Sequence, residues 1–256
     1  MWQLYVIAGL FGALIGSFLN VCIYRLPRRE SIVWPGSHCP ACSHPIAWYD
    51  NIPLLGYLVL RGRCRACAVS IPIQYPVVET LNALGYLALL WFFGPGWEAI
   101  VYAGLFSALL VVAGTDLTHK IIPNSVTFPG IVLGLVSAGT VLPLGLLNGV
   151  IGLLIGGGIL WVLAWVSPYL FGKEGMGGGD IKLLAMIGAF LGWKPAVLTI
   201  MIGSFVGSVI GVSLLAAKII KREDYIPFGP FLVFGAILSL FYGSALIEWY
   251  QGLLAG

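Results

Sequence analysis

Charged residues are scarce in this chain. Only 9% of its 256 residues are Asp, Glu, Lys or Arg, whereas 59% are hydrophobic. An ordinary soluble domain carries roughly a quarter charged residues, and a globular core of this size could not hide so many apolar side chains. The composition therefore excludes an ordinary soluble domain and predicts that lipid surrounds most of the protein. The formal net charge of +3 is too small to indicate nucleic acid as a partner.

Long stretches of the chain contain no charge at all. Residues 2–24 contain no Lys, Arg, Asp or Glu, a run long enough to cross a bilayer core of roughly 30 Å. No basic segment precedes this run, so we interpret it as the first membrane span rather than a signal peptide. Further apolar stretches lie at 77–94, 97–115, 125–142, 144–166, 181–192, 195–217 and 229–250. The pattern predicts an all-α polytopic membrane protein with about eight transmembrane helices.

The few basic residues are distributed unevenly between the two sides of the predicted bundle. With eight spans, the first, third, fifth and seventh connections carry all but one of the 13 basic residues, and Lys194 alone falls on the other side. Those on the first side are Arg25, Arg28, Arg29, Arg61, Arg63, Arg65, Lys120, Lys173, Lys182, Lys218, Lys221 and Arg222. Basic residues collect on the cytoplasmic side of membrane proteins, so both termini are predicted to lie outside the cytoplasm.

Cysteine is also rare, and four of the five cysteines form two C-x-x-C pairs. Cys39 and Cys42 are separated by 21 residues from Cys64 and Cys67, in the insert at 25–75 between the first two spans. Two such pairs can complete a closed tetrahedral zinc site, which is structural because no position remains for substrate. An insert of this size builds little core alone, so the metal would supply much of its folding free energy.

Two other uses of these cysteines remain open at the level of sequence. Disulfides are disfavoured by the predicted cytoplasmic location, and no thioredoxin-like pattern supports a redox pair.

His38 and His44 flank the first pair of cysteines, and either histidine could replace a cysteine as a zinc ligand. Cys22 lies inside the first span, where we interpret it as a packing residue.

Three of the ten acidic residues are not explained by a position in a loop or at a helix end. Asp116 follows an apolar run and Asp180 follows Gly177-Gly178-Gly179, both at the predicted cytoplasmic boundary, and Glu79 lies near the start of the second span. An ionisable group at membrane depth is costly and suggests function. Two adjacent carboxyl groups can share a proton, as acid–base hydrolysis of a peptide requires. Asp180 could equally be a helix N-cap, and Asp116 a solvated interfacial residue.

Several short motifs follow one another in an order that is typical of one family. They are Gly16-Ser17-Phe18-Leu19-Asn20-Val21 with Arg25-Leu26-Pro27, the C-x-x-C pairs, Tyr75-Pro76-Val77-Val78-Glu79, Asp116 with Ile122-Pro123, Gly177-Gly178-Gly179-Asp180 and Pro227-Phe228-Gly229-Pro230. This set resembles the type IV prepilin peptidase family, whose G-x-G-D motif also occurs in presenilins. The sequence departs from the family pattern at Gln74, where Arg is expected, and at Asn124, where Asp often stands.

The resemblance implies a bifunctional enzyme of the bacterial inner membrane. Such an enzyme cuts the basic leader from prepilins or pseudopilins at the cytoplasmic face and methylates the new N-terminal residue with S-adenosylmethionine. Asp116 and Asp180 match the peptidase aspartates. The insert resembles the part of the family associated with methyl transfer, and Asn20, Arg25 and Glu79 are the candidates for contact with the methyl donor.

The sequence thus predicts three segments, with two rival functions. The segments are a first helix at 1–24, a four-cysteine zinc module at 25–75 and a membrane domain with the peptidase site at 76–256. One rival is a peptidase without methyl transfer. The other is a transporter or assembly scaffold whose acidic residues bind cations.

Overall fold

The computed structural model describes residues 1–171, 177–221 and 226–255. These residues form nine α-helices, a 3-10 turn at Leu26–Arg28 and no β-strand beyond two isolated bridges. The helices are α1 (Trp2–Arg25), α2 (Leu55–Val59), α3 (Gln74–Phe93), α4 (Trp97–His119), α5 (Asn124–Thr140), α6 (Leu146–Phe171), α7 (Gly178–Leu191), α8 (Trp193–Ala216) and α9 (Gly229–Ala255). The predicted loop positions Lys173 and Arg222 lie outside the described residues.

The predicted all-α membrane architecture is confirmed, and the predicted number of eight spans is approximate. Eight of the helices coincide with the eight predicted stretches, and α2 is a single additional turn inside the insert. Six helices among the described residues are long and apolar enough to cross a membrane: α1, α3, α4, α6, α8 and α9. The remaining two, α5 with 17 residues and α7 with 14, would extend about 26 and 21 Å.

The chain divides into two compact units, Met1–Val111 and Val112–Gly256. In the first unit, α1 packs against α3 through glycines. A Cβ added to Gly16 would lie 2.7 Å from the Glu79 Cα, and one added to Gly12 would lie 2.8 Å from the Ala83 Cα. Small residues four apart allow membrane helices to approach this closely. The two glycines therefore set the distance between α1 and α3.

A buried polar network also joins the helices of the first unit. The Asn82 side-chain amide donates to the Gly12 carbonyl at 2.8 Å and accepts from the Ser107 hydroxyl at 3.0 Å. Ser107 in turn shares a hydrogen bond with the Tyr86 hydroxyl at 3.1 Å. Hydrogen bonds between polar side chains hold membrane helices together where the hydrophobic effect gives no driving force.

In the second unit, α7 is buried by the helices around it. It packs against α5, α6, α8 and α9, and residues 183–191 are all buried. Glycines on α6 allow α7 to approach closely. A Cβ added to Gly152 would collide with the Gly188 carbonyl oxygen, and a Cβ added to Gly156 would lie 2.7 Å from the Leu184 carbonyl oxygen. The body of α7, which begins one turn after Asp180, is therefore fixed by its neighbours.

Candidate active site and metal centre

Asp116 lies in the last turn of α4 and its carboxyl group is buried. The residue is 3% exposed, and its Oδ2 accepts a hydrogen bond of 2.9 Å from the Gly229 backbone N–H at the start of α9. The chain turns away directly after α4, because Lys120 has a left-handed φ of 56°. One oxygen of Asp116 is thus held by backbone, which fixes the orientation of the carboxyl group.

Asp180 lies in the first turn of α7, and one of its oxygens has no partner. Gly177 precedes the helix in an extended conformation, and the Asp180 N–H donates to the Gly177 carbonyl at 3.2 Å. Asp180 is 4% exposed, and its Oδ1 is buried without a hydrogen-bond partner among the described residues. Buried polar atoms are rarely left unpaired. The free Oδ1 is therefore available to water or to a substrate.

The two aspartates, whose meeting the sequence could not establish, are brought together in the second unit. The two carboxyl groups are close enough to interact electrostatically. The Ile122 side chain packs against Gly179, which precedes Asp180, and against Gly229, which donates to Asp116. A Cβ added to Gly179 would lie 2.9 Å from Ile122 Cβ, and a Cβ added to Gly229 would lie 3.3 Å from Ile122 Cδ1. Glycine at both positions allows this approach.

Sequence reasoning missed the contact made by Gly229. In the sequence the segment Pro227-Phe228-Gly229-Pro230 contributes to the family resemblance but indicates no role for Gly229. In the structure its glycine N–H is the donor to Asp116. The lack of a side chain also matters, because a Cβ at Gly229 would lie 2.6 Å from Asp116 Oδ2. The glycine between two prolines was the available signal.

Lys182 contacts the first turn of α5. Its Nζ donates to Asn124 Oδ1 at 2.6 Å and lies 5.6 Å from the centre of the Phe128 ring. Asn124 begins α5, directly after the Ile122-Pro123 turn beside the two aspartates. The departure from the family pattern at Asn124 thus falls on a residue that ties α5 to α7.

The four cysteines predicted to bind zinc converge in the first unit. All four Sγ atoms of Cys39, Cys42, Cys64 and Cys67 lie within 4.8 Å of one another, and the Sγ atoms of Cys39 and Cys67 are 3.8 Å apart. Four sulfurs about 2.3 Å from a zinc ion form a tetrahedron with edges of about 3.8 Å, whereas a disulfide bond measures about 2.05 Å. The donor set therefore fits a tetrathiolate zinc ion and does not fit disulfides.

The two C-x-x-C segments have the same backbone geometry. The N–H of Cys39 donates to the His44 carbonyl and that of Cys64 to the Val69 carbonyl, each at 2.9 Å. The residue after each second cysteine, Ser43 or Ala68, has a φ near 56°. The backbone N–H groups of Cys67 and Ala66 lower the pKa of the Cys64 thiol to about 7, whereas, against the hydrogen bond of the Val69 N–H, burial and the neighbouring thiols raise the pKa of Cys67.

Neither histidine joins the sulfur cluster, and an ion pair closes the insert. The ligand group contains cysteines alone, and His38 Nδ1 instead contacts the Gly36 carbonyl at 2.9 Å. Arg65, between the last two cysteines, contacts both oxygens of Asp50 at 2.6 and 2.8 Å. The Arg65 hydrogen bond holds the pKa of Asp50 below its usual value.

The three candidates for the methyl-donor site lie around α1 and α3, and two of them hold the insert. Arg25 donates to the carbonyls of Ser31 at 2.8 Å and Gly36 at 3.2 Å. Glu79 Oε2 accepts from the Leu54 N–H at 2.8 Å. These hydrogen bonds attach the insert to the ends of α1 and α3.

Asn20 is the candidate whose hydrogen-bonding capacity is incompletely used. Its Nδ2 donates to the Tyr75 carbonyl at 3.1 Å and to the Gly16 carbonyl at 3.3 Å. Its Oδ1 is buried without a partner among the described residues. Of the three candidates, Asn20 therefore has a free acceptor that suits an N–H or O–H group of a ligand.

Known proteins resemble this chain over nearly its whole length. Residues 10–93 match the Bacterial Peptidase A24 N-terminal domain, and residues 103–212 match the Type IV leader peptidase family. The prepilin leader peptidase/N-methyltransferase of Xanthomonas campestris pv. campestris is 40% identical, with 95% of this chain and 92% of that protein covered. Those of Aeromonas salmonicida (36%; 97% and 94% covered) and Pseudomonas aeruginosa (37%; 94% and 91% covered) are similar. No solved structure gives a significant match. The chain therefore belongs to the type IV leader peptidase family.

Proposed function

We propose that this protein is a multi-pass membrane enzyme that removes the leader peptide from prepilins or pseudopilins and then methylates the new N-terminal residue. The observation that carries the first activity is the buried pair Asp116 and Asp180, in which one Asp180 oxygen is without a partner. The second activity rests on relatives named prepilin leader peptidase/N-methyltransferase that align over almost the whole chain.

In the proposed cleavage reaction the two aspartates have different roles. Asp116, whose Oδ2 accepts the Gly229 N–H, suits the carboxylate that takes a proton from the attacking water. Asp180, whose Oδ1 is free, suits the carboxylic acid that donates a hydrogen bond to the substrate carbonyl. The water oxygen bonds to the carbonyl carbon, a proton then passes to the leaving nitrogen, and the C–N bond breaks. This general acid–base chemistry contributes typically 10²–10⁴-fold in rate.

The proposed methyl transfer uses S-adenosylmethionine, which supplies a methyl group on a sulfonium sulfur to the new N-terminal amine. We assign Asn20 to contact with the methyl donor, because its free Oδ1 can accept a hydrogen bond. Arg25 and Glu79 would shape this site by holding the insert against α1 and α3. Cys39, Cys42, Cys64 and Cys67 would hold one structural zinc ion within that insert.

The proposed location is the bacterial inner membrane, with the N-terminus outside the cytoplasm and the aspartates at the cytoplasmic face. The distribution of basic residues supports this orientation. A prepilin would keep its apolar helix in the bilayer and present its leader to the two aspartates from the cytoplasmic side.

Intact mass spectrometry of a prepilin incubated with the enzyme and S-adenosylmethionine tests both activities. The expected product has lost its leader and gained one methyl group, and Asp116→Asn and Asp180→Asn each abolish leader loss. Cleavage without methylation would leave a peptidase alone. Cleavage that survives in either variant would remove the assignment of the two aspartates. If neither reaction occurs but replacement of both aspartates changes ion flux, the transporter interpretation would replace ours.

A further inference from the structure

The short helix α2 carries an exposed apolar face. Leu55, Leu58 and Val59 of α2 are 58%, 68% and 72% exposed, and Ile52, three residues before the helix, is 38% exposed. We call these four residues the α2 face. The opposite side of α2 packs closely on the insert, because a Cβ added to Gly56 would collide with the Asp50 carbonyl oxygen. The insert therefore holds α2 with its apolar side outward.

The residue before α2 is hydrogen-bonded to a candidate membrane span. The Leu54 N–H, directly before α2, donates to Glu79 Oε2 at 2.8 Å. Glu79 is five residues into α3, which at 1.5 Å per residue is about 7.5 Å from the start of that helix. The helix α3 is one of the six candidate spans. The first residues of α2 are therefore held at the level of a span's end, where bilayer and water meet.

The charges that follow α2 indicate what covers its face. Arg61 and Arg63 come directly after the helix and are exposed. An apolar face beside basic residues is typical of helices that lie in the plane of a membrane surface, and arginine attracts anionic lipid headgroups. These arginines would repel a positively charged segment of a protein partner. Anionic lipid is thus the better complement.

We propose that the α2 face is a lipid-docking surface that seats the insert in the headgroup region of an anionic bilayer. The contact is independent of the proposed function, because it requires neither a prepilin nor a methyl donor. It gives the insert a third attachment to the membrane, besides the hydrogen bonds of Arg25 and Glu79.

Site-specific photo-crosslinking in vesicles tests this proposal. The full-length protein carries p-benzoylphenylalanine at Leu58 and is reconstituted in phosphatidylcholine with phosphatidylglycerol. Irradiation is expected to add the mass of a phospholipid. The matched control carries the same group at Ala41, an exposed residue between Cys39 and Cys42, and is expected to capture no lipid. Zinc content and prepilin cleavage report separately on folding and on the proposed function, and Leu55 is the second probe position if labelling at Leu58 disturbs them.

Three results would overturn the proposal. Folded, zinc-loaded protein labelled at Leu58 or Leu55 that captures no lipid would remove the docking surface. Equal capture at Ala41 would mean that lipid reaches the whole insert and that the α2 face is not special. Capture that passes from lipid to an added prepilin would make the face a substrate-docking surface instead.

The arginines provide a second measurement. Arg61→Ser and Arg63→Ser are each expected to lower the preference of the Leu58 probe for phosphatidylglycerol over phosphatidylcholine by roughly five-fold. An unchanged preference in the double variant would contradict the anionic character of the partner.

Discussion

Gly229 is the residue on which the position of Asp116 depends most directly. Its N–H holds Asp116 Oδ2 at 2.9 Å, and its Cα leaves no room for a side chain beside that oxygen. We expect Gly229→Ala to displace the Asp116 carboxyl group and to lower prepilin cleavage by about 10²-fold, because a displacement of about 1 Å can cost that much. Methylation of an already cleaved pilin should continue. Both rates can be measured by mass spectrometry on separate substrates.

The matched control is Gly243→Ala on the same helix. A Cβ at Gly243 would meet nothing closer than 3.9 Å, so cleavage should remain close to the wild-type rate. Equal loss in both variants would show that α9 tolerates no added methyl group, and the particular role of Gly229 would be lost. Retention of full cleavage by Gly229→Ala would have the same consequence.

At the residue scale the sequence identifies the charged residues of the site better than the uncharged residues that contact them. Asp116, Asp180 and Glu79 could be selected because an ionisable group near lipid is expensive wherever it occurs. Gly229 and Ile122 could not be assigned a role in this way. Gly229 lies 113 residues from Asp116, and neither a glycine nor an isoleucine carries a charge that would mark it as unusual in an apolar chain.

Among the helices, α6 and α7 depend on glycine for their packing. Gly152 on α6 faces the Gly188 backbone, whereas a Cβ at Gly158 on the same helix would meet nothing within 4 Å. We expect Gly152→Ala to destabilise the protein by about 1–3 kcal/mol through overpacking. Gly158→Ala should be neutral or stabilising by up to about 1 kcal/mol, because alanine is the better helix former. Thermal unfolding in detergent, followed by helical circular dichroism, compares the two variants.

The comparison has a clear contrary outcome. If both variants unfold at the same temperature as the wild type, α6 and α7 are not packed backbone to backbone at Gly152. Loss of cleavage in Gly152→Ala at a temperature where the variant remains folded would further show that a shift of α7 reaches Asp180 at its N-terminal end.

At the element scale the positions of helices were predictable, and their buried faces were not. All eight apolar stretches became helices with ends within a few residues of expectation, because a bilayer requires each span to satisfy its backbone internally. A helix that is apolar on every side has no polar stripe to mark its exposed face. Contacts such as Asn82 with Ser107 therefore emerged only from the structure, although a polar residue inside a span was visible.

For the whole molecule, the distribution of charge predicts the orientation in the membrane. Lys194 is the single basic residue on the predicted outer side, and cytoplasmic loops collect Lys and Arg. The prediction requires that α5 and α7 cross the membrane. Both are shorter than the six candidate spans. The sequence could not decide this point, because hydropathy records how apolar a segment is and not whether the bundle covers its ends.

The connection between α5 and α6 separates the two possibilities. With eight crossings, Gly145 lies outside the cytoplasm, whereas a helix α5 that turns back within the bilayer leaves Gly145 on the same side as Lys120. We expect alkaline phosphatase fused after Gly145 to be active, since the enzyme folds only outside the reducing cytoplasm.

A fusion of alkaline phosphatase after Asp50 in the insert is the control and should be inactive. Green fluorescent protein at the same two positions should give the reverse pattern. Activity after Asp50 would invert the whole topology and place the four cysteines where disulfides form. An inactive fusion after Gly145, with the Asp50 result as expected, would retain the cytoplasmic insert and contradict eight crossings, since α6 would then carry Asp180 to the side opposite Asp116.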